Sequence, residues 1–219
     1  MQSKLGCVIG KLFKNKFSLF YLFFYILNLK GEIANEADCA KVRDQILSVD
    51  KTVHHVVSSL GSWWQKGVLS EQSVEEFNAL ISNAVISHFV VYKTFAKILA
   101  SNPGSTYTFI TGGSGESCEK GEIFFADASL IPVMSNAVYG LYDSAYSEFH
   151  NHPNLKVSQL RIFIWVRPKS DSNFDANTSQ FEVGNDFIGR FIPKIIKKHR
   201  DGIFRAKSRQ EANAEFENI

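Results

Sequence analysis

Apolar positions from Gly31 onward switch repeatedly between a period near two and a period near 3.6. Cys39, Val42 and Ile46 recur at helical spacing behind Asn35, a side chain suited to an N-cap, and predict a helix over residues 36 to 48. Val53-His54-His55-Val56-Val57 is β-branched and breaks into Ser58-Ser59-Leu60-Gly61, which reads as a strand entering a tight turn. No glycine or proline occurs between Gly67 and Pro103. Ser73 and Glu76 form a capping box there. Val74, Phe77, Leu80, Ile81, Ala84, Val85, His88, Tyr92, Phe95, Ala96 and Leu99 follow as one stripe, which predicts a single long helix with room for a kink.

Tyr107 to Thr111 reads as a second strand running into Gly112-Gly113-Ser114-Gly115, a glycine cluster expected to be a turn. A helix is expected over Ser129 to Phe149, with Pro132 tolerated in its first turn. Val157 to Val166 carries few charges, as a strand buried on both faces should. Asp186 to His199 reads as a helix and Gly202 to Arg205 as a short last strand. Strands separated by helices of this length imply right-handed crossovers and a parallel α/β sheet.

Residues 1–30 depart from this pattern. Lys4, Lys11, Lys14 and Lys16 precede an apolar run from Phe17 to Leu27, broken only by Ser18. The run is short of the roughly 20 residues that span a bilayer, and Asn28-Leu29-Lys30 is a poor signal cleavage site. Two readings stay open: a soluble segment, or membrane contact through residues 17–27. The chain divides accordingly into an atypical segment, 1–30, and a domain over 31–216.

Composition narrows the function classes only a little. A net charge of +2 implies no strong field for nucleic acid. Lys194, Lys197, Lys198, His199, Arg200, Arg205, Lys207 and Arg209 cluster near the end and read as a solvated helix face followed by a frayed tail. Cys7, Cys39 and Cys118 show no CxxC spacing, which fits neither a disulfide framework nor zinc and agrees with a cytoplasmic protein. His150 and His152 could chelate, but no third ligand is identifiable, so a loop tip is the expectation. Trp63-Trp64 is expected to pack inside the fold.

Taken together, Gly31 to Phe216 resembles a short-chain dehydrogenase/reductase read from that family's third strand onward. His55-Val56-Val57-Ser58-Ser59-Leu60-Gly61 stands where the family has a strand followed by Asn-Asn-Ala-Gly, and the later helices and strands follow in family order. The resemblance implies a Rossmann-like parallel sheet with flanking helices, its first strands missing or replaced, and NAD(P) as the cofactor if there is one. It places Glu32 near an adenine, with Ser59 and Gly61 along the cofactor.

Two departures from the family are plain in the residues. Its TGxxxGxG loop, which seats a diphosphate on backbone N–H groups at a helix N-terminus, has no counterpart in residues 1–30. No Tyr-x-x-x-Lys occurs anywhere in the chain. In the family that tyrosine moves the proton and the lysine one turn on lowers its pKa. Aligned on the Ser129–Phe149 helix, Ile131 falls at the tyrosine position and Ser135 at the lysine position. Gly113 falls at the position of the carbonyl-polarising serine, with Ser114 beside it. Ala84 falls at the asparagine of the long helix, with Asn83 one residue off. Ile162-Phe163 replaces a Pro-Gly after the sixth strand.

The reading these residues favour is a truncated, degenerate member of the family without hydride transfer, acting as a binding or dimerising remnant. The alternatives are an NAD(P)-dependent oxidoreductase with an unusual active site and a membrane-tethered protein. The expected partner is a second copy or an intact relative, through the long helix and the Ser129–Phe149 helix. In the family's sheet the first strand is central, so either residues 17–27 supply a replacement strand or helix over that gap or the protein is poorly stable.

Overall fold

A computed structural model describes residues 7–10, 24–27, 34–61, 64–119, 126–175, 181–182, 186, 189–198 and 201–217. Strands β1 (Cys7–Gly10) and β2 (Phe24–Leu27) form an antiparallel pair. Helix α1 spans Glu36–Val49, started by Asn35, whose side chain accepts hydrogen bonds from the N–H groups of Ala37 and Asp38. Strand β3 (His55–Ser59) follows. Ser73 caps α2 (Val74–Ile81) by accepting from the N–H of Glu76. A π-turn over Ser82–Ile86 joins α2 to α3 (Ser87–Ala100), so the break in the expected long helix is one widened turn. Strand β4 (Ser105–Gly112), α4 (Ser114–Glu119), α5 (Leu130–Phe149) and β5 (Leu155–Ile162) come next. Helix α6 (Ile192–Lys198), β6 (Gly202–Ala206) and α7 (Arg209–Glu217) complete the order.

The sheet runs β3-β4-β5-β6 with every pair parallel. Paired residues of parallel strands share a face, so each face can be read across the register. Tyr107, Phe109 and Val157 turn toward α1, α3 and α5, where Cys39, Val42, Ile46, Val90, Phe95, Leu99, Val138, Tyr142 and Phe149 complete one core. Ile110, Leu160, Phe204 and Ala206 turn the other way, against Phe191, Ile192 and Ile195 around α6 and Ala212 of α7. On this second face Thr108 and Ser158 lie opposite each other in register and bond through their hydroxyls at 2.9 Å. Burial of both faces explains why β4 carries no charged residue.

Three expectations need correction. The segment after Gly113 forms α4 where a plain turn was expected, and the C-terminal tail forms α7 where fraying was expected. Ser208 accepts from the N–H of Glu211 at the start of α7, and burial of Ala212 beside Phe204 and Ala206 holds the helix to the sheet. Strand β5 begins two residues earlier than expected and ends at Ile162, because β6 stops opposite it at Ala206. Beyond that point Val166 forms an isolated parallel bridge to Phe181.

Of the apolar run 17–27, residues 24–27 form β2; the rest lies outside the described residues. β1, the strand paired with β2, comes within 8 Å of β3 between Cα atoms, yet the two belong to separate sheets. A replacement strand laddered onto β3 is therefore not formed by the described residues.

Candidate functional site

Parallel sheets present ligands at the carboxyl ends of their strands. Here those ends are the loop after β3, the Gly112–Gly113 link between β4 and α4, and the first half of α5. The sequence-predicted positions converge on this region in two groups.

The first group joins β3 to the π-turn. Gly61 has φ +108°, a left-handed conformation that favours glycine. A Cβ there would stand 3.2 Å from the Cβ of Ala84 and 3.5 Å from the sulfur of Met134. Gly61 and the fully buried Ala84 therefore serve as a close contact between loop and helix. Ser59 is exposed at the end of β3. Its neighbour Ser58 is buried, its hydroxyl 2.9 Å from Nδ1 of the buried His88. Burial pushes the His88 imidazole down to about 4, against a weaker upward pull from the Leu60 backbone.

The second group joins β4, α4 and α5. Ser114 and Ser135 are both buried, and their hydroxyls bond at 2.8 Å. A Cβ on Gly113 would overlap the ring of Phe163, and one on Gly115 would overlap Asn136 and stand 2.9 Å from the Tyr139 ring. Tyr139 donates its hydroxyl to the carbonyl of Gly112 at 2.7 Å. Ile131 points elsewhere, into a cluster with Trp64, Leu80, Ala128 and Leu130. Trp64 is buried as expected and donates its indole N–H to Glu76. Glu32 and Trp63 lie outside the described residues.

The space that missing Cβ atoms leave at Gly61, Gly113 and Gly115 is thus filled by the protein's own side chains. Gly113→Ala should meet Phe163 and cost about 1–3 kcal/mol of stability by overpacking. Urea unfolding of the two proteins measures this, and equal midpoints would refute the contact.

A buried ionic cluster escaped the sequence reading. The Arg161 guanidinium lies 3.6 Å over the Tyr139 ring and bonds Glu116 at 3.1 Å, while Nε of Arg205 bonds the same carboxylate at 2.9 Å. The signal was present, since Arg161 and Arg205 are partners in register, but it is visible only once β5 and β6 are aligned. Burial raises the Tyr139 phenol despite the opposing effect of Arg161. Burial, then Tyr146, pushes Tyr142 up to about 12. His150 ends α5, with Nδ1 3.0 Å from the Ser147 carbonyl and its ring 6.0 Å from Tyr146. Among the described residues, no group of three His, Cys, Asp or Glu could hold a metal.

No family model matches the sequence, and no curated protein matches it either. Solved structures do match. A short-chain dehydrogenase/reductase of Vibrio parahaemolyticus is 23% identical, with a TM-score of 0.51 over 61% of this chain and 57% of that one. A mutant short-chain dehydrogenase/reductase of Serratia marcescens is 14% identical, with a TM-score of 0.66 over 82% and 75%. ElxO with NADP bound is 15% identical, with a TM-score of 0.57 over 82% and 65%. The chain thus spans little more than half the length of the Vibrio protein. Four parallel strands, helices on both faces and these alignments together give this chain the fold of the short-chain dehydrogenases/reductases.

Proposed function

We propose that this chain is a short-chain dehydrogenase/reductase-like protein that no longer transfers hydride and works as a binding and self-associating module. The observation that carries the reading is the occupied strand ends: Phe163 covers Gly113, Ser135 is tied to Ser114, and Ile131 is buried where the family resemblance puts a tyrosine. Titration with NADH and NADPH is expected to give no saturable change in fluorescence. A panel of ketones and alcohols is expected to show no turnover. Saturable binding together with turnover of any substrate would overturn the proposal.

A second reading keeps the enzyme, with NAD(P) as cofactor, as the NADP in ElxO suggests. The favouring observation is Arg161 over Tyr139, a cation brought to a tyrosine from β5 rather than from one turn along the helix. Turnover that disappears in Tyr139→Phe would establish this reading in place of the first.

Self-association is supported by large apolar side chains left exposed on the long helix and on α5: Phe77, Ile86, Phe89 and Tyr146. A second copy, or an intact relative of the same fold, would cover them. Light scattering should give a dimer mass for the chain and a monomer mass for Phe89→Glu. A monomeric wild type would exclude a second copy as the partner. Membrane contact through residues 17–27 is the third reading, and a cytoplasmic location is the expectation if fractionation leaves the chain in the supernatant.

A further inference from the structure

Arg161 and Arg205 are direct partners across β5 and β6, so both side chains leave the same face at the carboxyl end of the sheet. Like charges placed opposite each other repel. Glu116 of α4 stands between them, accepting from Nη1 of Arg161 at 3.1 Å and from Nε of Arg205 at 2.9 Å. Glu116 and Arg161 are both over nine-tenths buried, whereas the Arg205 side chain is 35% exposed. Lys207, just past the end of β6, is exposed, with its ammonium 5.9 Å from the centroid of the Phe163 ring.

The cations and the acid are anchored differently. Arg161 is also fixed by Gln159, which accepts from its Nε at 2.9 Å, and by the Tyr139 ring beneath it. Both arginines project from the sheet. Glu116 comes from a six-residue helix entered directly through Gly112–Gly113. Paired guanidiniums held in fixed positions are the usual protein device for binding carboxylate or phosphate oxygens.

We propose that Arg161 and Arg205 form a binding site for a carboxylate- or phosphate-bearing ligand, and that Glu116 is its internal occupant. A ligand anion enters beside Arg205 and takes over the hydrogen bonds of the Glu116 carboxylate, which moves out toward solvent. The inference concerns β5, β6 and α4 and holds whether or not the protein binds a dinucleotide.

The test titrates the full chain and Glu116→Gln with sodium phosphate and, separately, sodium acetate, with ionic strength held constant by chloride. Binding is followed by thermal shift and by the NMR signals of the arginine side chains. Glu116→Gln, which has no carboxylate to displace, is expected to bind one of the two anions about tenfold or more tightly than the full chain. Adding Arg205→Gln should abolish that gain. The anion preferred separates phosphoryl from carboxylate ligands. A folded Glu116→Gln protein that responds no better than the full chain overturns the proposal, as does a gain that survives in the double variant. Should Glu116→Gln fail to fold, phosphate or acetate must restore its circular dichroism beyond equal chloride; no restoration also overturns it.

Discussion

Phe109→Ala will lower the unfolding free energy by about 3–5 kcal/mol, the cost of deleting a buried aromatic ring and leaving a cavity. Phe109 has no exposed surface and lies at the centre of the first core. Its ring meets Tyr107 at 4.7 Å, His88 at 5.7 Å, Tyr92 at 5.9 Å and Tyr142 at 6.5 Å between centroids. Those partners come from the strand itself, from α3 and from α5, so the lost ring loosens the sheet from both of these helices. Collapse around the hole is hindered because Tyr107 and Leu99 are themselves fully enclosed. Urea unfolding decides the matter: a loss below about 1 kcal/mol would mean that the site closes on itself and that this cluster does not carry the fold.

Acid will destabilise the protein through His88 before most carboxylates respond. An exposed histidine titrates near 6.5, the value expected in the unfolded chain, whereas the enclosed imidazole titrates at about 4. As pH drops below 6.5 the unfolded chain gains a proton that the folded protein refuses, so folding stability declines until pH reaches about 4 and then levels off. With about 1.4 kcal/mol per unit, the full decline is about 3 kcal/mol. Stability measured from pH 7 to pH 4 should fall by that much more in the wild type than in His88→Gln. Parallel curves for the two proteins would show that His88 is not enclosed. Ser58 is the group facing Nδ1, and the Phe109 ring borders the imidazole on the sheet side.

The order of strands and helices was legible because hydrophobic period is set locally. The stripe from Val74 to Leu99, the β-branched run before Ser58 and the apolar run of β5 each declare their element without knowledge of neighbours. Two elements were hidden. Helix α4 begins behind two glycines, which signal a turn with equal strength, and its helical state depends on Gly115 fitting under Asn136 and Tyr139. Helix α7 is rich in charge, and what holds it is the burial of Ala212 in the cluster with Phe204 and Ala206, a contact that no hydrophobic period of the helix itself declares.

The strand-end contacts were legible as positions but not as geometry. Gly113 and Ala84 could be named from the helices and strands around them. That Phe163 fills the space over Gly113, or that Ala84 meets Gly61, follows only from three-dimensional packing. The Arg161–Glu116–Arg205 cluster is more remote still, since its members come from three elements and obey no shared spacing.

The widened turn at Ser82–Ile86 carries a constraint on chain length. One residue advances an α-helix by about 100°, so the bulge sets the phase between the half bearing Leu80 and the half bearing His88 and Phe95. The widened turn takes up one residue more than a regular turn, and so keeps Leu80 in the Trp64 cluster and His88 on Ser58 with that extra residue in place. A residue gained or lost elsewhere in the helix, with no widened turn to take it up, would rotate one half against the other by about 100° and misalign everything on that side at once.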